Sequence, residues 1–418
     1  MHKSGQDTKK SIAVTAAALA LLGMVALVTA AVSGPASAAA RPGPARPGIA
    51  RSAAPVARDL ADVACRTARD CIAVDPLDSP TPVAEIWNGK AWHSVRVSLP
   101  AGTHHGSLDA VACPGASECV AVGEDFPDPV GGYNYALGDI WNGKAWAPTQ
   151  LSESAETALA AVSCLSPKSC LAVGSENSPE GGYGNPIAYA WNGAKWVSLT
   201  VPPQSYDWST AFTDVSCVAG RFCLVAGYSP TKSGALTTLL YRWNGRTWTA
   251  LKPAAPPKGV TSLQLNYVSC ASPTRCVAVG DGYRKAAAVA IAEVWNGRAW
   301  KVTAPIAWPR GTTNPSPNGV SCATASSCLA TGSIDKNQKD DGITGRAAAS
   351  VWNGRTWRAT SVPAPGRGKA SDFGGVTCLR PTFCAVVGST EPYDGAPGTG
   401  TALSGFWNGK SWRLVSLK

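Results

Sequence analysis

The sequence predicts an all-β fold: a seven-bladed β-propeller of four-stranded antiparallel blades, with one disulfide inside each blade. Three observations lead to this prediction. One pattern recurs seven times at intervals of about 50 residues, which is typical of a repeat architecture. Each copy holds two cysteines separated by five residues and ends in the motif Trp-Asn-Gly-x-x-Trp. All 14 cysteines and 14 of the 16 tryptophans belong to these motifs.

Four short strands are predicted in every copy, each bounded by turn residues. In the third copy they cover residues 160–164, 170–174, 187–191 and 195–199. A repeated four-stranded meander is the unit of a propeller, and seven such units can close a ring. An open solenoid is the alternative. It is disfavoured because solenoid ends need atypical capping repeats, whereas the first and last copies here are regular.

The cysteines belong to the first predicted hairpin of each copy. At matching strand ends, two cysteines can reach the separation that a disulfide needs across a short turn. Their even number and constant spacing favour disulfides over zinc, which would normally bring histidine into the pattern. The predicted pairs are Cys65 with Cys71, Cys113 with Cys119, Cys164 with Cys170, Cys217 with Cys223, Cys270 with Cys276, Cys322 with Cys328 and Cys378 with Cys384.

The last predicted hairpin of each copy turns at Asn-Gly, a pair that suits the positive φ values of a type I′ turn. If Asn-Gly alone forms the loop, the two tryptophans are diagonal neighbours. If the loop has four residues, they face each other directly. Both registers place the two indoles on one face of the sheet, where we expect them to fill the space between neighbouring blades.

The chain is predicted to have three parts. Residues 1–38 resemble a secretory signal, with a lysine-containing start, a long apolar run and an Ala-Ser-Ala cleavage site. Residues 39–58 are rich in Pro and Ala and predict a flexible lead-in, and residues 59–418 form the propeller. We therefore expect a secreted monomer, extracellular or associated with the cell wall. A retained N-terminal membrane anchor is the alternative.

The order of an apolar strand, an Ala-Val-Gly strand, a strand ending in a turn and a Trp strand resembles the kelch-type propeller blade over residues 59–418. The chain also resembles exported repeat proteins of high-GC Gram-positive bacteria. It departs from kelch repeats in having a single Gly after the second strand and an added cysteine pair. Kelch-like propellers include a copper enzyme, galactose oxidase, but its metal needs histidine ligands. This chain has no histidine after His105, so neither a metal nor a cofactor is expected.

A ring of cations is predicted on one face, because a Lys or Arg follows every Asn-Gly pair. Solvated turn residues are the simpler interpretation. The alternative is a weak, salt-sensitive attraction to anionic polymer without specific nucleic-acid recognition. This predicted basic rim consists of Lys90, Lys144, Lys195, Arg246, Arg298, Arg355 and Lys410.

The opposite face carries the segments that join strand two to strand three and blade to blade. We call it the variable-loop face, because these segments differ between copies, as ligand-binding loops on a constant scaffold do. Aromatic residues outside the repeat motifs collect there and predict a ligand site, although packing against the loops is the alternative. They are Tyr133, Tyr135, Tyr183, Tyr206, Trp208, Tyr283, Trp308 and Tyr393.

These features favour a non-catalytic binding module for extracellular carbohydrate or a cell-surface partner such as a protein. The alternative is a carbohydrate-active hydrolase or lyase that uses carboxylates of the variable-loop face. No catalytic motif is visible in the sequence, so we predict no catalytic residues.

Overall fold

A computed structural model describes residues 57–77, 79–128, 132–151, 154–176, 184–202, 210–219, 221–285, 287–336, 345–366, 369–392 and 400–417. It contains seven antiparallel sheets of consecutive strands, each sheet forming one blade. The all-β prediction of seven four-stranded blades is thus confirmed. In blade 7 the first strand is split into two pieces that both pair with the second strand.

Each blade runs from its innermost first strand to its outermost fourth strand. The first strands are Asp62–Thr67, His105–Ala112, Thr157–Ser166, Ala211–Val218, Val260–Ser272, Thr312–Thr324 and the two pieces Lys369–Ser371 and Val376–Arg380. The second strands are Asp70–Val74, Cys119–Phe126, Ser169–Glu176, Phe222–Pro230, Arg275–Arg284, Ser327–Lys336 and Phe383–Pro392. The third strands are Val83–Trp87, Tyr135–Trp141, Asn185–Trp191, Leu236–Trp243, Ala287–Trp295, Gly345–Trp352 and Thr401–Trp407. The fourth strands are Trp92–Arg96, Trp146–Gln150, Trp196–Ser198, Trp248–Leu251, Trp300–Val302, Trp357–Ala359 and Trp412–Ser416.

All seven predicted disulfides are present, one in each blade, and no described cysteine is free. In blade 1 the two cysteines are direct partners in the strand register, with their Cα atoms 3.9 Å apart. The disulfide therefore links the two strands of the first hairpin in each blade, as the cysteine spacing predicts. In chain order, Cys65 is bonded to Cys71, Cys113 to Cys119, Cys164 to Cys170, Cys217 to Cys223, Cys270 to Cys276, Cys322 to Cys328 and Cys378 to Cys384.

The Asn-Gly turns form four-residue loops, not the two-residue type I′ turn. In blade 1 the Asn88 carboxamide oxygen accepts hydrogen bonds from the backbone N–H groups of Lys90 and Ala91, at 2.9 and 3.0 Å. Only the glycine of the pair, Gly89, has a positive φ, 91°. The tryptophans before and after the loop are consequently direct register partners, with ring centroids 5.6 Å apart in blade 1.

Neighbouring blades share one hydrophobic cluster at each of the seven junctions. The cluster between the last and first blades contains Val63 and Trp87 from blade 1 and Phe406 from blade 7. There the Trp92 indole donates a 2.8 Å hydrogen bond to Ser404, and the Arg413 guanidinium lies 5.5 Å from the Trp87 ring centroid. Blades 1 and 7 are each built from consecutive segments, so the described residues close the ring by packing and not by a borrowed strand.

Polar groups also bridge the blades. The second tryptophan of blades 3, 6 and 7 donates its indole N–H to a threonine of the preceding blade: Thr149, Thr303 and Thr360 at 3.0 to 3.1 Å. Blades 2, 4 and 5 have no such partner for this N–H among the described residues. The reason lies in the sequence, because the matching position of the preceding blade holds Val95, Leu199 or Leu251.

Acidic residues occur in this core two positions before the first tryptophan of blades 1, 2 and 5: Glu85, Asp139 and Glu293. All three side chains are buried. Glu85 accepts hydrogen bonds from Ser94 and from the backbone of Ala57. Neither carboxyl oxygen of Asp139 has a partner among the described residues. Burial, with a further contribution from the nearby Asp125 charge, raises the pKa of Asp139 to about 8, so this carboxyl is mostly neutral at pH 7.

A single glycine in the second strand of blades 2 to 7 has a steric role, whereas blade 1 has Asp75 at this position. In blade 3, for example, the first strand is irregular between residues 159 and 161, opposite Gly174. A Cβ on Gly174 would lie 2.0 Å from the Ala158 carbonyl oxygen. Only glycine allows this close approach of two backbones.

Candidate functional site

A central channel of about 780 Å³ runs between the seven first strands, which provide nearly all of its wall. Between blades 3 and 7 these strands are joined by serines that stand one residue before the first cysteine. Ser163, Ser216, Ser269 and Ser321 each accept a 2.9 Å hydrogen bond from the backbone N–H of the next blade's first cysteine. One repeated contact thus links the first strands of blades 3 to 7.

Three aspartates line the channel: Asp62, Asp109 and Asp214. These aspartates were not among the site residues predicted from the sequence. Their position in the repeat could have identified them, since each stands three or four residues before the first cysteine of its blade. At the matching positions the other blades have neutral residues, which include Asn266 and Tyr267.

Asp62 and Asp214 connect blades. Asp62 accepts a 3.0 Å hydrogen bond from the Val111 backbone N–H of blade 2, and Asp214 accepts a 2.7 Å bond from the Val268 N–H of blade 5. Burial raises the pKa of both carboxyls, that of Asp214 to about 7, and the Asp62 charge adds to the rise for Asp214. Because all of their described contacts satisfy backbone groups, these two aspartates have a structural role.

Asp109 differs from the other two. Its carboxyl makes no hydrogen bond to any described residue of the chain, and it lies near Glu124 on the same hairpin. Burial, reinforced by the Glu124 charge, raises the pKa of Asp109 to about 7. A carboxyl with this pKa could donate a proton near neutral pH. Asp109 is therefore the channel residue best suited to acid–base chemistry.

The variable-loop face contains two large clefts, each holding one of the predicted aromatic residues. The larger, of about 750 Å³, lies where the strand-two to strand-three segment of blade 5 meets the connection to blade 6. Its walls include Ile291, Ile306 and Trp308, with Arg284 and Asn314 as polar neighbours. We call it the Trp308 cleft.

Trp308 is half-buried, and it packs against the core cluster shared by blades 5 and 6. Its indole Nε1 is buried and has no hydrogen-bond partner among the described residues. Such a donor is costly to leave unpaired, at about 1 to 3 kcal/mol. The half-buried ring therefore gives the cleft an apolar surface, whereas its N–H is enclosed by the protein.

The second cleft, of about 650 Å³, lies in blade 2 and is lined by Tyr135, Asp125 and Leu151. Asp125 accepts a 2.9 Å hydrogen bond from Thr103. The remaining described aromatics of the prediction, Tyr133 and Tyr283, are exposed. The structure places Tyr135 and Trp308 in separate clefts and does not gather the described aromatics into one site at the channel mouth.

The other predicted residues of this face, Tyr183, Tyr206, Trp208 and Tyr393, lie outside the described residues. Their contribution to a site stays a prediction. The signal segment 1–38 and the lead-in 39–58 also stay predictions, because only residues 57 and 58 of these segments are described.

All seven cations of the predicted basic rim are exposed. The glycine of each Asn-Gly turn lies against the cysteine turn of the same blade, as Gly89 does against Arg69, so both turns lie on one face. Within the described ranges the only ion pair joins Arg66 and Asp70, at 2.6 Å. No acidic residue of the described chain therefore neutralises the rim by direct contact.

The described residues contain no group of three or more His, Cys, Asp or Glu side chains arranged to hold a metal ion. Nor does any helix among them have the length and apolar character needed to cross a membrane.

No protein-family model matches the sequence, and no curated protein matches it. Solved structures do. A polysaccharide lyase, an ulvan lyase bound to a GlcA–Rha3S unit, aligns with a TM-score of 0.56 and 8% identity over 88% of this chain and 97% of that chain. A protein of unknown function from Dyadobacter fermentans aligns with a TM-score of 0.50 and 13% identity over 77% and 97%. A xyloglucanase from Xanthomonas campestris aligns with a TM-score of 0.50 and 13% identity over 86% of this chain and 55% of that chain. At these identities the likeness shows the fold alone.

Proposed function

We propose that the protein is an exported, non-catalytic binding module for extracellular carbohydrate and that its ligand occupies the Trp308 cleft. The Trp308 side chain is the observation that carries the proposal. It places a flat, half-buried apolar ring at the wall of a 750 Å³ cleft that also holds the polar side chains of Arg284 and Asn314. Sugars need both an apolar face for stacking and polar groups for their ring and hydroxyl oxygens.

The rest of the cleft fits such a ligand. Small-molecule sites are typically mostly apolar clefts of about 300 to 1,000 Å³ with a few oriented polar groups. Here the apolar wall comes from Ile291 and Ile306, and the polar groups from Arg284, Thr312 and Asn314. Asn314 is held by a 2.9 Å hydrogen bond to Asp335, which gives its side chain a defined direction.

Two of the three similar structures carry names of enzymes that act on polysaccharides. These names support a carbohydrate ligand, and the Trp308 cleft supplies the local reason to propose a sugar here. The protein partner considered from the sequence is the second ligand class.

Export is part of the proposal. Seven disulfides suggest an oxidising compartment outside the cytosol. The segment 1–38 supplies the expected signal, after which residues 39–58 connect to the propeller.

The experiment is calorimetric titration of the folded propeller with neutral and acidic plant and cell-wall oligosaccharides. Trp308→Ala should abolish the heat of binding, while Trp308→Phe, which keeps a smaller stacking face, should weaken it. Trp352→Ala is the matched control because Trp352 belongs to the same core cluster and is buried. It should lower the melting temperature strongly and leave the affinity of the folded fraction unchanged. Equal affinity of wild type and Trp308→Ala would refute the site.

A second candidate function, hydrolysis or elimination at a glycosidic bond, is favoured by one observation: the unpaired channel carboxyl of Asp109 with its pKa of about 7. Such a group could act as a general acid. If the protein shortens a polysaccharide and Asp109→Asn stops this without loss of folding, the enzymatic function replaces the binding function.

A further inference from the structure

One junction between blades is open on the basic face. Between blades 3 and 4 a cavity of about 360 Å³ lies beside the cysteine and Asn-Gly turns. The cavity at the same place between blades 5 and 6 has only about 30 Å³. Because the two junctions are built from the same repeated motifs, the difference must come from particular side chains.

The residue before the first tryptophan contributes to the opening. In blade 3 it is Ala190, which lines the cavity, whereas in blade 5 it is Val294, which lines the small cavity. The other blades have Ile86, Ile140, Arg242, Val351 and Phe406 at this position. Ala190 is thus the smallest of the seven, and its short side chain leaves part of the space between the blades unfilled.

The exposure of the first tryptophan of each blade is a second indication of the opening. The first tryptophan of blades 1, 2, 5, 6 and 7 is buried, with exposures between 1% and 7%. Trp191 and Trp243, which both line the cavity, are the two that are only half-buried. The Trp243 ring packs in the junction between blades 3 and 4, whereas the Trp191 ring packs against the core of blades 2 and 3. Trp243 is therefore the tryptophan that gives this cavity an apolar surface.

Two cations stand at the entrance. Lys168 and Arg221 line the cavity and are exposed, and neither forms an ion pair with a described acidic residue. Their aliphatic stems are fixed, because that of Lys168 lies against Gly193 and that of Arg221 against Gly245 of the adjacent Asn-Gly turns. Asn192 and Ser169 add further polar groups. The charge of the site is thus positive, and its floor is apolar, formed by Ala190 and Leu171.

We infer that this cavity binds a single anionic sugar unit, a hexuronate, with its ring against Trp243 and its carboxylate between Lys168 and Arg221. Charge complementarity selects an anion, and the half-buried Trp243 indole selects one that carries a flat ring face. The volume lies near the lower end of the range for small-molecule sites, about 300 to 1,000 Å³, so one sugar unit is the appropriate size. The site lies on the opposite face from the Trp308 cleft and does not depend on it.

The test is titration of the folded propeller with a galacturonate or glucuronate disaccharide, its neutral counterpart, and inorganic phosphate. We expect the uronate to bind, with an affinity that falls as salt rises, and the neutral sugar and phosphate to bind at least about tenfold more weakly, because each lacks one of the two contacts. Phosphate binding as tight as uronate binding would overturn the proposal, since the cations alone would then explain it. Equal binding of the neutral sugar would also overturn it.

Variants locate the site. Ala190→Phe introduces the residue that blade 7 carries at this position, so it should obstruct the cavity and weaken uronate binding by about tenfold or more, with thermal unfolding to check that the variant is folded. Arg221→Gly should also weaken binding by about tenfold or more, while its effect on backbone strain is favourable, because Arg221 has a φ of 58°. Arg275→Gln removes a cation from the closed junction and should change nothing. Unaltered uronate binding by folded Ala190→Phe would overturn the assignment, whereas Trp308→Ala should leave it intact.

Discussion

The buried carboxyl of Asp139 gives the most quantitative prediction. Its pKa is raised from 3.8 to about 8 in the folded protein, so between these values the folded state binds a proton that the unfolded state has released. The free energy of unfolding must therefore be highest below pH 4 for this group and fall as the pH rises towards 8. Each pH unit costs about 1.4 kcal/mol. Because Asp139 is fully buried, solvent does not screen this effect on the free energy of unfolding.

Replacing the carboxyl by an amide removes this titration. We expect wild type and Asp139→Asn to have similar stability near pH 4 and to diverge as the pH rises. The difference should reach about 4 kcal/mol at pH 7, from the interval between 3.8 and 7 at 1.4 kcal/mol per unit. The amide variant should be the more stable protein at pH 7.

Urea unfolding, followed by tryptophan fluorescence at half-unit pH intervals from 4 to 8, measures this difference. The control is Glu118→Gln, which removes an exposed acid of the same blade and should give a curve parallel to that of the wild type. Parallel curves for wild type and Asp139→Asn would refute the reasoning. They would show that the carboxyl has the same proton affinity in the folded and unfolded states.

Three further predictions concern the scaffold and the rim. Thr360→Val should cost about 1 to 3 kcal/mol, because it leaves the Trp412 indole N–H unpaired; urea unfolding measures this, and Thr249→Val at an exposed position is the control. Gly280→Ala should prevent stable folding or lower the melting temperature strongly, since its Cβ would lie 1.8 Å from a backbone oxygen, whereas Gly345→Ala, with 3.9 Å of clearance, should be tolerated. Four simultaneous Gln substitutions in the rim should keep the melting temperature but reduce retention on anionic polymer at low salt, and unchanged retention would leave these cations as ordinary solvated residues. The rim substitutions are Lys90→Gln, Lys144→Gln, Arg246→Gln and Arg298→Gln.

The features that the sequence predicts well are those repeated in every blade. Seven copies of one motif establish the number of blades, the disulfide pairs and the tryptophan positions, because a chance pattern would not recur with constant spacing. The length of the Asn-Gly loop could not be derived, since both registers place the indoles on one face. The hydrogen bonds of the Asn88 side chain select the four-residue loop.

The candidate sites depend on what differs between blades, and this is harder to predict. Asp109 stands beside an irregularity in the first strand, and only the course of that strand directs it to the channel. Trp308 and Tyr283 have the same status in the sequence, yet one lines a cleft and the other is exposed. Trp308 lies in the connection between blades 5 and 6 and packs against their shared core, whereas Tyr283 lies near the end of the second strand of blade 5. The small size of Ala190 is noticed only when the residues before the first tryptophan of all seven blades are compared.

The central claim is that the protein binds extracellular carbohydrate without cleaving it. The most direct measurement is to incubate the folded propeller with a panel of cell-wall and plant polysaccharides and to determine both retention of the protein and chain length of the polymer. We expect at least one polysaccharide to retain the wild type but not Trp308→Ala, and we expect the chain length of that polysaccharide to stay unchanged. Retention on none of them, or progressive shortening of the retained polymer, would contradict it.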